Sequence, residues 1–452
     1  MPEYEIAADS GPAVAREPLT QHELDEMIER HRRFLAHERE GTWACFKLMD
    51  LSYLDLSDGD LRTADFTGAD LSSARLNGAD LSDTIMFAVD LRQANLTHAI
   101  LDRADLRGSS LRRANLSQAS LVEADLRAGR LYSRDHHGEY RTVRDKRSLT
   151  DLAAAILTGS DLTHAKLGDA LIVETDLTDA NLSDVSLERA DMTSSILTGA
   201  NMAGCDLSDT NMTDAILHGA ILTGARLDQT NLTGADLVCA ILDGVDFSRT
   251  DISGATVPKG IDEIEGDLAT ILEEHHVWVT QKGAKGARAE LPKFNLSDQD
   301  FRSVNLSMAN LAYSKFRNTN FSRAHLIMAD LSFCDLRGAD LSYCDLRGAG
   351  LNRANLTGAD LTGARLGPVP MEGTVNREWV TNLQHARLND AQLRGAVLEA
   401  ANLEGADLTD AALNDSNLHR AVLVDTMLKG ADLRGADTAE ADMRGVVGYR
   451  RD

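Results

Sequence analysis

A large apolar residue returns at every fifth position over most of this chain, and few folds can accommodate that period. In Ala64-Asp65-Phe66-Thr67-Gly68, Ala69-Asp70-Leu71-Ser72-Ser73 and Ala74-Arg75-Leu76-Asn77-Gly78 it is the central residue of each pentad. Centres run from Phe46 to Leu131, Leu152 to Val257, Leu291 to Leu366 and Leu383 to Met443; of these 69 positions only Thr438 is not apolar. An α-helix cannot use the period: at about 100° per residue, successive centres fall about 140° apart and form no stripe. A flat strand fails because an odd period sends successive centres to opposite faces. Five residues must therefore form a closed unit, a short extended stretch and a bend. The residue two before the centre is small, usually Ala, and shares its inward face. The residue two after is often Gly (Gly68, Gly78, Gly108, Gly199, Gly219, Gly338), which admits the positive φ of a tight turn. If four bends close a circuit, centres stack at i, i+20, which pairs Phe46 with Phe66, Phe301 with Phe321 and Met192 with Met212 in the core.

The A-[DN]-L-x-x pattern, seen in Ala104-Asp105-Leu106, Ala200-Asn201-Met202 and Ala359-Asp360-Leu361, resembles that of the pentapeptide-repeat family. The resemblance covers all four blocks. It implies an all-β solenoid, a right-handed quadrilateral β-helix with four five-residue sides per coil. At a strand spacing of about 4.8 Å, roughly 17 coils would stack to about 80 Å if continuous.

Composition narrows the class further. With 10 Phe, 7 Tyr and 3 Trp in 452 residues, the core must be built mainly from Leu and Ala. No apolar run approaches the roughly 18–20 residues of a membrane span, so no membrane insertion is expected. The start, Met1-Pro2-Glu3-Tyr4-Glu5, lacks the basic and apolar regions of a signal peptide. Five cysteines without a CxxC pair suggest reduced thiols and a cytoplasmic setting. The net charge of −25 disfavours direct nucleic acid binding.

Three segments break the phase: Tyr132–Thr150, Pro258–Glu290 and Gly367–Asn382. Before the first repeats, Thr20-Gln21-His22-Glu23 has the form of a capping box. Leu24, Met27, Ile28, His31, Phe34 and Leu35 follow with helical spacing, predicting an amphipathic helix over Gln21–Glu38. Leu268, Ile271, Leu272, His275, Trp278 and Val279 repeat this series at an offset of 244. The expected organisation is a flexible N-terminus (1–19), a capping helix (20–40) and a first β-helix (41–257, excursion 132–150). A linker with a second capping helix (258–290) and a second β-helix (291–452, excursion 367–382) follow. The helices would cover open solenoid ends, whose unpaired edges invite aggregation. The alternative is one continuous solenoid with 258–290 thrown out as a side helix.

Chemistry-bearing patterns are sparse. Asp or Asn precedes each centre and faces outward, so carboxylate pairs occur almost anywhere and carry little information. Cys205, Cys334 and Cys344 occupy the small inward slot; Cys334 and Cys344, ten apart, lie on opposite walls, which argues against a shared metal. His275 and His276, adjacent on a helix, point about 100° apart. No catalytic residue, cofactor or metal site is expected. The 132–150 segment reads as a hairpin with five basic and three acidic residues. Its Tyr132, Arg134, His136, His137, Tyr140 and Arg141 are candidate contacts for a protein partner.

Residues 151–257 hold 17 acidic and 4 basic residues, whereas 46–131 carry a net −3 and 291–366 a net +2. The resemblance implies a use for such charge: several members of the family are understood to protect DNA gyrase by mimicking duplex DNA, as dimers joined through their C-terminal ends. Asp161, Asp176, Asp206, Asp236 and Asp246 are the candidate acidic face. The chain departs from those members in its length, its duplicated helix and its mixed-charge blocks, and outward Asp also serves simply to keep a Leu-rich solenoid soluble. At the C-terminus, Met443, Val446, Val447 and Tyr449 either fold over the last coil or form a self-association patch for a homodimer. The sequence points to a non-enzymatic scaffold for an as yet unidentified protein partner, with a DNA mimic that binds a topoisomerase such as gyrase as the alternative.

Overall fold

The computed structural model describes residues 16–129, 132–134, 140–142, 149–370 and 378–448; for 132–134 and 140–142 only the backbone pairing is considered. The chain divides into two compact units, one running to Asp236 with Ile241–Ala255, the other comprising Leu237–Ala240 and Thr256 onward. Both are built from pentads.

Each pentad contributes one short side of a square coil. Parallel bridges join residues 20 apart, as in Asp50↔Asp70↔Asp90↔Ser110 and Asn295↔Lys315↔Asp335↔Asn355. Leu51 N donates to Asp70 O at 2.7 Å and Asp70 N to Met49 O at 2.9 Å, so each side is paired with the coils before and after it. The centres and their small partners fill the interior: Leu71, Leu91, Ala69 and Ala94 have essentially no exposed surface. Phe46 stacks on Phe66 at 4.8 Å and Phe301 on Phe321 at 5.1 Å, the pairs expected from the 20-residue coil.

The corners differ from the glycine-based expectation. In the turn Leu71–Ala74, Ala74 N donates to Leu71 O at 3.0 Å and the third residue, Ser73, has φ +58°. Asp83, Gln93, Arg103 and Arg113 hold the same place with φ between 57° and 60°. This is the left-handed well, open to L-residues at about 1–2 kcal/mol. The corner amides offset that cost by donating to the next coil, Ser73 N to Arg92 O at 2.8 Å for example. Glycine is therefore optional at most corners.

Two short strands and a helix open the first unit. β1 (Glu17–Pro18) pairs in parallel with β2 (Met49–Asp50). Between them, α1 spans Gln21–Leu35 with the expected Thr20/Glu23 capping box. It stops three residues short of Glu38 because His37 adopts the left-handed φ of +56°, with His37 N turning back to Phe34 O and Glu38 N to Arg33 O. Leu24 and His31 are its fully buried residues, while Phe34 is 42% exposed and stacks on the His31 ring. In the second unit, α2 (Leu268–Thr280) likewise buries His275.

The excursions do not interrupt the stack. β3 (Tyr132–Arg134) and β4 (Tyr140–Thr142) form an antiparallel hairpin, and bridges resume across it as Ser110↔Asp151 and Asn115↔Ile156. β5 (Val369–Pro370) and β6 (Glu378–Trp379) form the second, bypassed by Gly350↔Asn382. Each splice is closed by a fully buried threonine. Thr150 Oγ1 accepts from Gly108 N at 3.0 Å, and Thr381 Oγ1 accepts from Gly348 N at the same distance. Counted from the first coil, the excursions follow centres Leu126 and Leu366, the seventeenth and sixteenth of their units, so relative to the helix they leave neighbouring corners. Toward the end of the first unit's repeats burial fades: Leu237 is buried, Leu242 and Phe247 are half-buried, and Ile252 is exposed.

Candidate interaction surfaces

The outward aspartates are first of all turn components. Asp65 Oδ1 accepts from Thr67 N at 2.8 Å, Asp70 from Ser72 N at 2.9 Å and Asp340 from Ser342 N at 3.0 Å, each closing a local turn two residues on. Asn does the same at Asn115, Asn320 and Asn417. Where the residue after the centre is Arg, its guanidinium forks back onto the same carboxylate. Arg107 reaches Asp105 at 2.8 and 2.7 Å, and Arg337 reaches Asp335 at the same distances. This D-x-R reading explains the frequent Asp-Leu-Arg triplets, a signal present in the sequence and overlooked there.

The five candidate acidic residues do not share one side of the coil. Bridges place Asp161 in a column with Asn181 and Asn201, Asp176 with Ile196, Ile216 and Asp236, and Asp206 with Ser186 and Arg226. Asp246 lies 40 residues beyond Asp206, at the corresponding pentad position, but makes no bridge. Most are engaged locally: Asp161 accepts from Thr163 N at 3.0 Å, Asp176 from Thr178 N at 3.0 Å and Asp206 from Ser208 N at 3.1 Å. Asp206 also pairs with Arg226 at 3.1 Å, and Asp236 sits 2.8 Å from His218 Nε2. The Ser248 backbone N–H, 2.8 Å away, holds the Asp246 carboxyl below its usual range.

The first hairpin brings Tyr132, Arg134, Tyr140 and Arg141 together in register: Tyr132 opposes Thr142, Ser133 opposes Arg141 and Arg134 opposes Tyr140. His136 and His137 lie outside the described residues. At the C-terminal end, Met443 and Val446 are half-buried against the core, and Val447 bridges Met427 while remaining 58% exposed. These residues make the last rung instead of folding over it; Tyr449 lies outside the described residues. The inward cysteines donate to carbonyls of the preceding coil, Cys205 to Leu182 O and Cys344 to Phe321 O, and burial pushes both thiols up to about 12. Among the described residues, no group of three His, Cys, Asp or Glu is arranged to hold a metal, and no helix is long and apolar enough to cross a membrane.

Sequence reasoning missed how the helices meet the coils. The Gln21 side-chain amide imitates a strand: Nε2 donates to Asp55 O at 2.8 Å and Oε1 accepts from Asp55 N at 2.9 Å. Trp43 Nε1 donates to Thr63 O at 2.9 Å, and His31 bridges Ala44 N and Arg62 O. The second unit repeats this, with its coils at an offset of 245: Arg288 Nε reaches Met308 O in place of the bond from Trp43 to Thr63, and Lys259 pairs with Phe294 where β1 pairs with β2. Gly41 and Gly286 hold corresponding places in the two links. A Cβ on Gly41 would meet Phe34 N at 2.3 Å, and one on Gly286 would meet Glu274 O at 2.3 Å.

No curated protein matches the chain. Among solved structures it is similar to HetL, a pentapeptide repeat protein involved in heterocyst differentiation regulation in Nostoc sp. strain PCC 7120. Identity is 22%, with 93% of this chain and 97% of that chain covered, at a TM-score of 0.18. A pentapeptide repeat protein of the Arabidopsis thaliana thylakoid lumen is 34% identical over 19% of this chain and 68% of its own, TM-score 0.16. QnrB1, a plasmid-mediated fluoroquinolone resistance protein, is 18% identical over 48% and 92%, TM-score 0.19. The model for pentapeptide repeats matches residues 44–86, 90–127, 155–254, 305–367 and 381–445 in overlapping segments. Those segments cover most of the bridged coils described above, and the chain belongs to the pentapeptide-repeat family.

Proposed function

We propose that the chain is a non-enzymatic scaffold that binds protein partners through its outer sides and its loop excursions. One observation carries this reading: among the described residues, the recurrent Asp and Asn and the inward Cys are committed to the fold, while the first hairpin leaves the stack without disturbing it. Asp and Asn close their own turns, Arg forks back on Asp, and the thiols of Cys205, Cys334 and Cys344 bond to carbonyls. The partner surface is assigned to Tyr132, Arg134, Tyr140 and Arg141, together with His136 and His137 of the same segment. We read α1 and α2 as caps on the N-terminal coils of two tandem solenoids, and the cytoplasm as the place of action. Replacing Tyr132, Tyr140 and Arg141 with Ala is expected to abolish capture of the partner from the native cell while leaving the β-rich CD spectrum unchanged. Undiminished capture by the triple variant removes the hairpin from the site.

The second reading, an acidic mimic of DNA that binds gyrase, is favoured by the 17 acidic and 4 basic residues of 151–257. It would act as a homodimer joined through the last rung at Met443, Val446 and Val447, with Tyr449 just beyond. Changing Asp161, Asp176, Asp206, Asp236 and Asp246 together to Asn removes five charges and keeps an amide oxygen for each turn. A gyrase supercoiling assay with a quinolone then decides. Protection by the parent and not by the variant supports the mimic; no effect of the parent at micromolar concentration ends it.

A further inference from the structure

The two helices dock on their first coils through the same residue, and the two histidines are not equally satisfied. His31 Nδ1 accepts from Ala44 N at 3.1 Å and its Nε2 meets Arg62 O at 2.9 Å. His275 Nδ1 accepts from Ala289 N at 3.0 Å, and both side chains have no exposed surface. A ring nitrogen that accepts a hydrogen bond carries no proton, so neutral His275 must hold its hydrogen on Nε2. That Nε2 faces the backbone of Ser307, the counterpart of Arg62, outside good hydrogen-bond geometry.

Protonation would place a second hydrogen on Nδ1, directly against the Ala289 N–H. It would also leave a desolvated cation near Arg288 on the link and beside His276 on its own helix, both of which oppose the charge. Glu274 is the neighbouring carboxylate on α2, and the coil offers only the Ser307 backbone toward the ring among the contacts described. We propose that the docking of α2 is an acid-sensitive latch: protonation of His275 releases the helix and uncovers the first coil of the second unit around Leu291, Phe294 and Leu296. His31 makes the matching contact on α1, accepting from Ala44 N, and adds a bond from Nε2 to Arg62 O.

The direction of the pH effect follows from linkage. Burial, foremost, lowers the His275 pKa below the ordinary 6.5, so the released helix binds more protons than the docked one. Docking is fully favoured above about pH 6.5 and is lost as pH falls. Below that value the opening constant rises up to about tenfold per pH unit, until the docked pKa is reached.

Amide hydrogen exchange on the full chain, corrected for intrinsic rates, reads this out between about pH 7.5 and 5. Protection of Ile271–Val279 is expected to fall by up to about tenfold per pH unit below about 6.5. His275→Asn keeps an acceptor near the Nδ1 position and does not titrate, so it should flatten the pH dependence; His275→Gln is the second test of the same point. Constant protection in the parent overturns the latch, as does a loss that persists in both variants. If both substitutions release α2 at neutral pH, the imidazole NMR signals of the parent decide: a ring that protonates while α2 stays protected overturns it equally.

Discussion

An aspartate ahead of a pentad centre serves the turn before it serves as a charge. Its Oδ1 holds the amide two residues on, a task Asn performs equally well at Asn115 and Asn320. Asp161→Asn is therefore expected to leave thermal stability nearly unchanged, whereas Asp161→Ala should cost about 0.5–1.5 kcal/mol by releasing the Thr163 amide. Asp55 shows the acid side of the same chemistry: the Ser57 hydroxyl first, then Arg75, hold its carboxyl at about 2 against 3.8. Its folded pKa is depressed, so its contribution is present above about pH 4 and is lost as pH falls toward 2; an acid titration of Asp55→Asn, lacking that step, checks it. Corner residues follow a similar logic. Gly219 has φ +63° and open space where a Cβ would sit, so Gly219→Ala should cost only the left-handed penalty, about 1 kcal/mol by thermal denaturation.

At the scale of the element, docking geometry decides where glycine is obligatory. Gly41→Ala would drive a methyl into the Phe34 amide at 2.3 Å and the Arg33 carbonyl carbon at 2.6 Å, backbone atoms of a helix that cannot yield locally. Loss of more than about 2 kcal/mol is expected, with α1 protection in hydrogen exchange falling first. The hairpin at 132–142 is the opposite case. Removing residues 130–150 joins Gly129 to Asp151 and restores an unbroken period, with Gly129 in the small slot and Leu152 as the next centre. This deletion should shift the melting temperature by only a few degrees. A collapse of the β-rich CD spectrum would show that the hairpin supports the coil. The capping box, the helix start and both excursions were legible as local signals. The amide of Gln21 posing as a strand was not, because its partner Asp55 lies 34 residues away and outside any helical or pentad spacing.

For the whole molecule, the duplicated helix suggests two units that fold separately. Residues 256–452 produced alone are expected to melt cooperatively with a β-rich spectrum; a fragment without a cooperative transition would argue for one interdependent solenoid. The repeat itself determined the coil: a five-residue period excludes helix and flat sheet, and the same four-sided circuit then stacks Phe46 on Phe66 and Phe301 on Phe321. Periodicity reaches that far because every pentad meets the same neighbours 20 residues away. Three matters were left to the tertiary structure: the left-handed corners occupied by Asp, Gln and Arg, the separation of five aspartates into different columns, and the unequal fates of His31 and His275. Each depends on contacts that the period does not specify, where one side chain answers to the particular backbone packed against it.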